Sequence, residues 1–175
     1  KRQESHGAAA YAQHHSQGKT DMEKKFMKAA IREAVKAARK DEVPIGAVIV
    51  MDGRIIARGH NTRHKTKNAV NHAEIIAIQK ACKKVGDWRL SGCDLYVTLE
   101  PCPMCAGACV NARVDNVYFG AYDQKAGCAG TLMNIPADGR FNHRCGVTGG
   151  IMEEECVSLL GEFFRNKRES AKREK

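Results

Sequence analysis

The sequence predicts an α/β fold in which helices cover a mixed β-sheet, and three observations lead to that prediction. An apolar stripe at helical spacing, which includes Met27, Ile31 and Val35, indicates an amphipathic helix that begins near Asp21. Two short apolar runs flank Asp52-Gly53, a dipeptide typical of a β-hairpin turn. Further along, strand, helix and strand patterns follow one another, which is the order found in layered α/β folds.

The elements follow one another with clear boundaries. Thr20 or Asp21 is the expected N-cap of the first helix, and a polar, basic loop separates the hairpin from the helix that begins at His72. Proline near the start of the next helix is tolerated because its missing N–H has no partner there. The predicted strands are Ile45–Met51, Arg54–Gly59, Asp94–Leu99 and Asp115–Gly120, and the later helices are His72–Lys84, one from Cys102 or Pro103, and Met152–Arg168.

The chain is expected to form one domain with a short segment on each side. At 175 residues it is long enough for a single hydrophobic core. Residues 1–20 are rich in Gln, Ser, Ala, His and Gly and show no apolar period, so they are expected to be a disordered or tag-like extension. Residues 21–168 are the predicted folded domain, and residues 169–175 are a basic C-terminal tail.

Composition narrows the classes of partner and compartment. The net charge of +9 favours a polyanionic partner, most simply a nucleic acid, but a solubilising role explains the charge alone about equally well. No apolar run approaches the roughly 18 residues of a membrane span, and the N-terminus lacks the apolar centre of a signal peptide. Eight cysteines with little paired spacing are typical of a reducing compartment, so a cytoplasmic location is expected.

The most specific motif in the sequence is His72-Ala73-Glu74 followed by Pro101-Cys102-Pro103-Met104-Cys105. One imidazole and two thiolates leave the fourth corner of a zinc tetrahedron open, and an open corner is typical of a catalytic zinc site. Such a metal lowers the pKa of its bound water towards neutrality, which gives a hydroxide nucleophile at physiological pH. Glu74 is not needed as a ligand and is close enough to the histidine to shuttle a proton. This pattern is the signature of zinc nucleobase deaminases.

Two closed arrangements of the same cysteines stay open from the sequence. Cys109 follows Cys105 by one helical turn, so a Cys3His zinc site with His72 and Cys102 is conceivable, as is an iron–sulfur cluster. Both leave Glu74 without a role beside the metal. The cysteines without paired spacing are interpreted as buried small apolar residues, and these are Cys82, Cys93, Cys128, Cys145 and Cys156.

Several longer segments carry a resemblance to a known family. They are Val43–Val50, Asn71–Glu74, Tyr96–Ala106, Phe119–Ala121, Phe141–Arg144 and Glu162–Arg165. With these segments the chain resembles the bacterial tRNA-specific adenosine deaminases of the cytidine deaminase-like superfamily, from about Glu23 to Arg168. The resemblance implies a three-layer α/β/α sandwich with a central mixed five-stranded sheet, and a homodimer. It implies hydrolytic deamination of adenosine to inosine at the wobble position of a tRNA anticodon stem-loop, with residues 21–168 as the zinc-dependent deaminase domain.

The resemblance also implies roles for individual residues. His72, Cys102 and Cys105 match the ligands of one Zn²⁺ per subunit, and Glu74 matches the proton shuttle. The implied substrate-binding residues are Asn61 at the target nucleoside, Asp123 and Asn142 at the anticodon loop, and Phe164 and Arg165 along the RNA groove. From the residues alone, a turn residue is the favoured interpretation of Asn61, and Asp123 is equally a loop cap. A structural role is open for Asn142 by the same argument, and one of Phe163 and Phe164 is expected to be a core residue.

Other functions stay open at this point. A deaminase of free bases or nucleosides, such as guanine or cytosine, would use the same site on small substrates. A zinc-stabilised RNA-binding module without catalysis would have a coordinatively closed metal. The chain also departs from the family, which often has Pro-Thr-Ala before its His-Ala-Glu, because Ala69-Val70-Asn71 stands there instead. The basic run after Phe164 is interpreted as a phosphate-binding helix end.

Overall fold

A computed structural model describes the backbone of residues 5–173 and the side chains of residues 20–173. Helices and strands alternate along this part of the chain, as the sequence predicts. In chain order they are α1 Ser5–Ala38, β1 Gly46–Met51, β2 Arg54–His60, α2 Arg63–Thr66, α3 Ala73–Val85, β3 Cys93–Leu99, α4 Pro103–Asn111, β4 Asn116–Ala121, β5 Gly146–Thr148 and α5 Glu153–Arg173.

The strands form one mixed sheet in the order β2-β1-β3-β4-β5. β1 is antiparallel to both β2 and β3, whereas β3, β4 and β5 run parallel to one another. The β1–β2 turn contains Asp52 and Gly53 with φ of 50° and 69°, which is the positive-φ geometry expected of a tight hairpin. The predicted five-stranded mixed sheet is therefore confirmed.

Helices cover both faces of this sheet, because side chains alternate along each strand. On one face, Val48, Val50, Tyr96 and Tyr118 pack against Phe26 and Ala29 of α1. The rings of Tyr96 and Tyr118 stack with centroids 4.5 Å apart. The opposite face packs against α3 and α4 through Ile49, Leu95, Val97, Val117 and Phe119. Three layers result, which confirms the α/β/α sandwich.

Two glycines allow the helices to approach the sheet closely at one edge. A Cβ atom on Gly46 of β1 would lie 2.1 Å from the backbone oxygen of Ala30 in α1. On the other face, a Cβ atom on Gly59 of β2 would lie 2.2 Å from the backbone oxygen of Ala73, the first residue of α3. Any larger residue would push these helices away from the strands, so both glycines set the position of the helix beside them.

The strand ends meet at the edge of the sheet where the predicted site residues lie. β1 begins and β3 ends there, since the two strands are antiparallel. β4 ends at the same edge, and the carbonyl of its last residue, Ala121, accepts a hydrogen bond from the N–H of Glu100 just after β3. α3 and α4 both begin at this edge, directly after loops that leave β2 and β3.

The start of the first helix differs from the sequence prediction. α1 begins at Ser5 and continues through Thr20 and Asp21, so neither residue is an N-cap. Extension of an existing helix needs no new nucleus, and this stretch contains no proline to stop it. Residues 1–4 lie outside the described residues, and the assignment of residues 1–20 to an extension stays a prediction.

At the other end, α5 continues beyond Arg168 to Arg173, so most of the predicted tail is helical. β5 was not predicted because Gly146–Thr148 is too short to show alternation. In the predicted basic loop, Arg63–Thr66 forms the single turn α2. Among the helices in the described part of the chain, none is both long and apolar enough to cross a bilayer.

Candidate metal centre and active site

The two helix starts at the sheet edge bring three potential metal ligands together. His72 is the N-cap of α3 and Cys102 is the N-cap of α4, and Cys105 lies in the first turn of α4. The Nδ1 atom of His72 lies 3.7 Å from Sγ of Cys102 and 3.6 Å from Sγ of Cys105. All three ligand atoms lie within 4.8 Å of one another. That spacing fits three corners of a single metal polyhedron.

The two cysteines differ in protonation, because Cys102 carries the negative charge and Cys105 does not. Hydrogen bonds from the Cys105 thiol and from His72 lower the pKa of Cys102 to about 4. Cys105 keeps its proton, since donation to the Cys102 thiolate and burial raise its pKa. The hydrogen bond to Cys102 also raises the pKa of His72. His72 and Cys102 are the N-caps of α3 and α4, so the positive ends of both helix dipoles lie at this pair, which favours thiolate.

Glu74 lies beside the three ligands, in the first turn of α3. It is 3% exposed, and its Oε2 is the one buried side-chain oxygen or nitrogen without a hydrogen-bond partner among the described residues. Burial raises the pKa of Glu74 to about 7. An unsatisfied buried carboxyl oxygen is costly, so its retention at this position indicates a functional group.

A cavity of about 200 Å³ opens over these residues. It is lined by Val43, Ile45, Asn61, Arg63, His72, Glu74, Leu99, Glu100, Cys102, Asp123 and Ala126. The donor set suits zinc, because imidazole nitrogen and cysteine sulfur are its usual ligands. Glu74, whose Oε2 has no hydrogen-bond partner, lines the same cavity and is not needed as a ligand. The residues therefore fit a zinc ion with an open coordination position.

Most of the chain matches a known family. The profile of the MafB19-like deaminases matches residues 20–168. The chain belongs to this family. Like its relatives, this deaminase is an enzyme of the cytidine deaminase-like fold, and the boundaries of the match enclose the predicted ligands, Glu74 and all the predicted substrate contacts.

Individual relatives narrow the comparison. The deaminase is 56% identical over 147 residues to the tRNA-specific adenosine deaminase of Bacillus subtilis strain 168, covering 84% of this chain and 91% of that protein. A solved tRNA:A34 deaminase, studied for A-to-I editing at the wobble position, is 44% identical with a TM-score of 0.74, covering 77% of this chain and 98% of the other. A guanine deaminase from Bacillus subtilis is 42% identical with a TM-score of 0.55, covering 61% and 69% of the two chains.

Asn61 and Asp123 both reach the cavity of the deaminase, and both also have structural partners. Asn61 is 3% exposed, and its Oδ1 accepts a hydrogen bond of 2.9 Å from the N–H of Ala73. Since a backbone N–H occupies the amide oxygen, the amide NH₂ is the group that Asn61 offers to a ligand. Oδ1 of Asp123 accepts from the N–H groups of Lys125 and Ala126, as a loop cap does.

The other predicted contacts lie outside the cavity. Oδ1 of Asn142 accepts a hydrogen bond of 3.0 Å from Arg113, which follows the far end of α4, so the structure does not bring Asn142 to the cavity. Phe164 and Arg165 are exposed on α5. Lys167 is ion-paired with Asp41, near the start of β1, which brings this half of α5 to the active-site edge. Phe163 is the more buried of the two aromatic residues.

Glu100 is a component of the site that the sequence did not predict. It is 2% exposed, and its carboxylate accepts from the N–H groups of Asp123, Ala129 and Thr131 and from the Thr131 hydroxyl. Burial raises its pKa, but these hydrogen bonds outweigh burial and lower it overall. Glu100 thereby folds the loop after β4 over the cavity. No pattern at residue 100 indicates this role, since its partners lie 23 to 31 residues away.

The remaining cysteines do not join the site. Cys109 is buried, but the group of potential ligands in the described residues includes only His72, Cys102 and Cys105. In the described residues, three candidate ligands come together, and not the four that a closed Cys3His site or an iron–sulfur cluster needs. Four of the five other cysteines are buried as predicted, whereas Cys82 is half-buried and contacts the carbonyl oxygen of Trp88 at 3.5 Å.

Proposed function

We propose that this deaminase converts adenosine to inosine at the wobble position of a tRNA anticodon, by zinc-dependent hydrolysis. The observation that supports it most strongly is the buried, unpaired Oε2 of Glu74 beside a His-Cys-Cys ligand set with an open position. The relatives named for tRNA editing and the net charge of +9 support RNA as the substrate.

His72, Cys102 and Cys105 would hold the zinc. When bound, the ion acts as a Lewis acid that increases the acidity of water. Glu74 then does the proton transfers. Its carboxylate takes one proton as water attacks C6 of adenine and passes that proton to ring nitrogen N1. It then takes the second proton of that water from the new C6 hydroxyl and delivers it to the departing amino group as the C6–N6 bond breaks. One water is consumed, and one ammonia is released for each inosine formed.

The other residues of the cavity would orient the base. Asn61 has an NH₂ group to donate to an acceptor of the nucleoside, while its oxygen holds the first turn of α3. Arg63 lines the same cavity and adds positive charge at its rim. The target base must leave its stack to reach Glu74, and an anticodon loop already presents unpaired bases, which lowers that cost.

The first experiment measures inosine in an anticodon stem-loop that carries a wobble adenosine. Free adenosine, cytidine and guanine are assayed in parallel, each with and without a zinc chelator. We expect inosine in the stem-loop only, with formation abolished by the chelator and restored by zinc. Ammonia release without inosine in RNA would contradict the proposal.

The same assay tests a second candidate function, the deamination of free guanine. The 42% identity to a guanine deaminase is the observation that favours it. The cavity is small and enclosed by residues that a free base could also contact. Turnover of guanine without turnover of the stem-loop would establish this function instead.

The proposal of a tRNA deaminase includes a homodimer and a cytoplasmic location. Sedimentation analysis of the zinc-loaded protein tests whether it is a dimer.

A further inference from the structure

A chain of polar side chains joins α1 to the end of β2, on the sheet face opposite α3. Glu33 of α1 is 4% exposed. Its Oε1 accepts a hydrogen bond of 2.7 Å from Nζ of Lys36, and its Oε2 lies 3.2 Å from Nδ1 of His60. On the other side of the imidazole, Nζ of Lys40 lies 3.0 Å from Nε2. His60 is thus held between a carboxylate and an ammonium group.

These partners determine the proton position on His60. A carboxylate only accepts, so Nδ1 must carry the proton that is donated to Glu33. A lysine ammonium only donates, so Nε2 must be unprotonated to accept from Lys40. His60 is therefore neutral in this arrangement. Burial lowers the pKa of His60, the contact with Glu33 raises it, and Lys40 and Lys80 lower it, with a net decrease.

The backbone connects this cluster directly to the cavity. His60 is the last residue of β2, and Asn61 follows it. The N–H of Asn61 donates to the carbonyl of Ile45 at 3.1 Å, while its side-chain oxygen accepts from Ala73 at 2.9 Å. Asn61 is therefore attached to β1 and α3, and its orientation depends on where β2 ends. On the α1 side, the last residue of β2, His60, is held by Glu33 and Lys40.

Stability alone is a weak reason for such a cluster. Desolvation of a carboxylate as buried as Glu33 is costly, and well-packed apolar residues of similar size are often as stable. Hydrogen bonds with defined directions hold a strand end in one place, which apolar contacts do less well. The cluster adjoins Asn61, which both binds the start of α3 and lines the cavity.

We propose that Glu33, His60 and Lys40 form a positioning unit that fixes Asn61 for contact with the substrate base. The inference rests on the proposed function in one respect, namely that Asn61 contacts the nucleoside being deaminated. None of the three residues lines the cavity, so each acts through Asn61 and is a positioning residue.

KM and kcat of His60 variants, measured in the wild-type protein and in an Asn61→Ala variant, test the positioning unit. His60→Leu removes both hydrogen bonds, and we expect KM for the substrate to rise about tenfold while kcat changes less than about twofold, as expected when ground-state binding is weakened. His60→Gln keeps one donor and one acceptor and should stay within about threefold of wild type. In an Asn61→Ala background, His60→Leu should have no further effect, because the residue through which it acts is absent.

Acid titration gives a readout that a purely structural role would not change. The charged groups around His60 are Glu33, Lys36 and Lys40 of α1 and Lys80 of α3. Protonation of His60 makes Nε2 a donor that faces the ammonium of Lys40. The ratio of wild-type to His60→Gln activity should therefore fall as the solution becomes acidic, at a pH below the ordinary histidine value of about 6.5, since glutamine does not titrate and the other acid-dependent steps are shared.

The controls separate this inference from folding and from the proposed function. Lys40→Met should raise KM and Lys28→Met, an exposed lysine of the same helix, should not. The double-mutant comparison of His60 and Asn61 uses whichever substrate the wild-type enzyme deaminates. It is made at a temperature where all variants are folded and contain zinc. Failure of the wild type to form inosine refutes the proposed function. An effect of His60→Leu that persists at full size in the Asn61→Ala background, or a flat activity ratio against pH, refutes the positioning unit.

Discussion

Glu74 illustrates how much one buried side chain contributes to the chemistry of this fold. Other buried carboxylates in the described residues have partners, as Glu33 and Glu100 do. Glu74 has one oxygen without any, and its pKa is raised to about 7 by burial. A group with a pKa near the working pH both accepts and releases protons readily, which is the property that general acid–base catalysis requires.

Replacement of Glu74 by glutamine tests that role. Glu74→Gln preserves volume and leaves His72, Cys102 and Cys105 in place, so we expect normal zinc content and folding. Inosine formation should fall by about 10² to 10⁴-fold, the usual contribution of a general acid–base group. Rates on a wobble-adenosine stem-loop and metal analysis measure both. Glu153→Gln, in the exposed first turn of α5, is the matched control. A Glu74→Gln rate above one tenth of wild type would contradict the proton-shuttle role.

Glu100 provides a second prediction for a single residue, this one about stability and pH. Its pKa is lowered in the folded protein by hydrogen bonds that outweigh burial. A lowered folded pKa means that the stabilisation is present above the unfolded pKa and disappears as pH falls through the folded pKa. We expect Glu100→Gln to reduce the free energy of unfolding by about 1.5–3 kcal/mol at pH 7.

The difference between Glu100→Gln and wild type should shrink as pH decreases below about 4.5. Urea unfolding at a series of pH values, with both proteins under the same metal conditions, measures it. Acid release of the metal affects both proteins and cancels in the difference. A difference that stays constant from neutral pH to about pH 3 would show that Glu100 stabilises the loop through packing alone.

Among the elements, α3 and α4 matter most because the ligands lie at their N-terminal ends. Their starting points depend on close contact with the sheet, as at Gly59, where a Cβ atom would lie 2.2 Å from the Ala73 backbone. α4 contains Gly107, whose Cβ position has nothing within 4 Å. These two glycines therefore have opposite expected responses to the same substitution.

Alanine substitution compares the two glycines. Gly59→Ala forces α3 away from β2, and overpacking of this kind costs about 1–3 kcal/mol or more. We expect it to lower both the free energy of unfolding and the zinc affinity, because His72 moves with α3. Gly107→Ala should raise stability by about 0.5–1 kcal/mol, since alanine favours helix without a clash. Denaturation curves and zinc titration measure both, and equal stabilities for the two variants would contradict the close-contact argument.

Positive charge is distributed over the whole molecule, but only part of it lies near the active site. The net charge is +9, and α5 carries Arg165, Lys167, Arg168, Lys172 and Arg173 on exposed positions in the half that approaches the active-site edge. α3 instead ends at the opposite edge with Lys83 and Lys84. If RNA lies over the cavity, only the first group contacts phosphates, although both contribute to the net charge.

Salt dependence of RNA binding distinguishes the two groups. Neutralisation of Arg168, Lys172 and Arg173 to glutamine should weaken stem-loop binding and reduce the slope of log affinity against log salt by about 0.7–0.9 for each phosphate that is no longer neutralised. Lys83→Gln with Lys84→Gln should leave the slope nearly unchanged. Binding measured from about 50 to 300 mM salt gives both slopes. Equal slopes in the two variants would mean that α5 contributes only general charge.

Elements whose pattern is set by neighbours in the chain match their predicted bounds. β1, β2, α3 and β3 lie within one or two residues of the prediction, because alternation and helical spacing are local properties. The short β5 was not predicted, since three residues show no pattern. α1 was predicted to begin near Asp21 and begins at Ser5, because nothing in the stretch before it stops a helix.

Spacing within short segments was sufficient to predict the α/β class, the hairpin, the candidate ligands and a carboxylate two residues from the histidine. Long-range packing decided that Cys109 lies outside the group of candidate ligands, that Asn142 contacts Arg113 and does not line the cavity, that Glu100 binds the loop after β4, and that His60 contacts Glu33. Those outcomes depend on contacts between residues tens of positions apart. Such contacts are set by how β1, β3 and β4 meet at one edge, which local spacing does not encode.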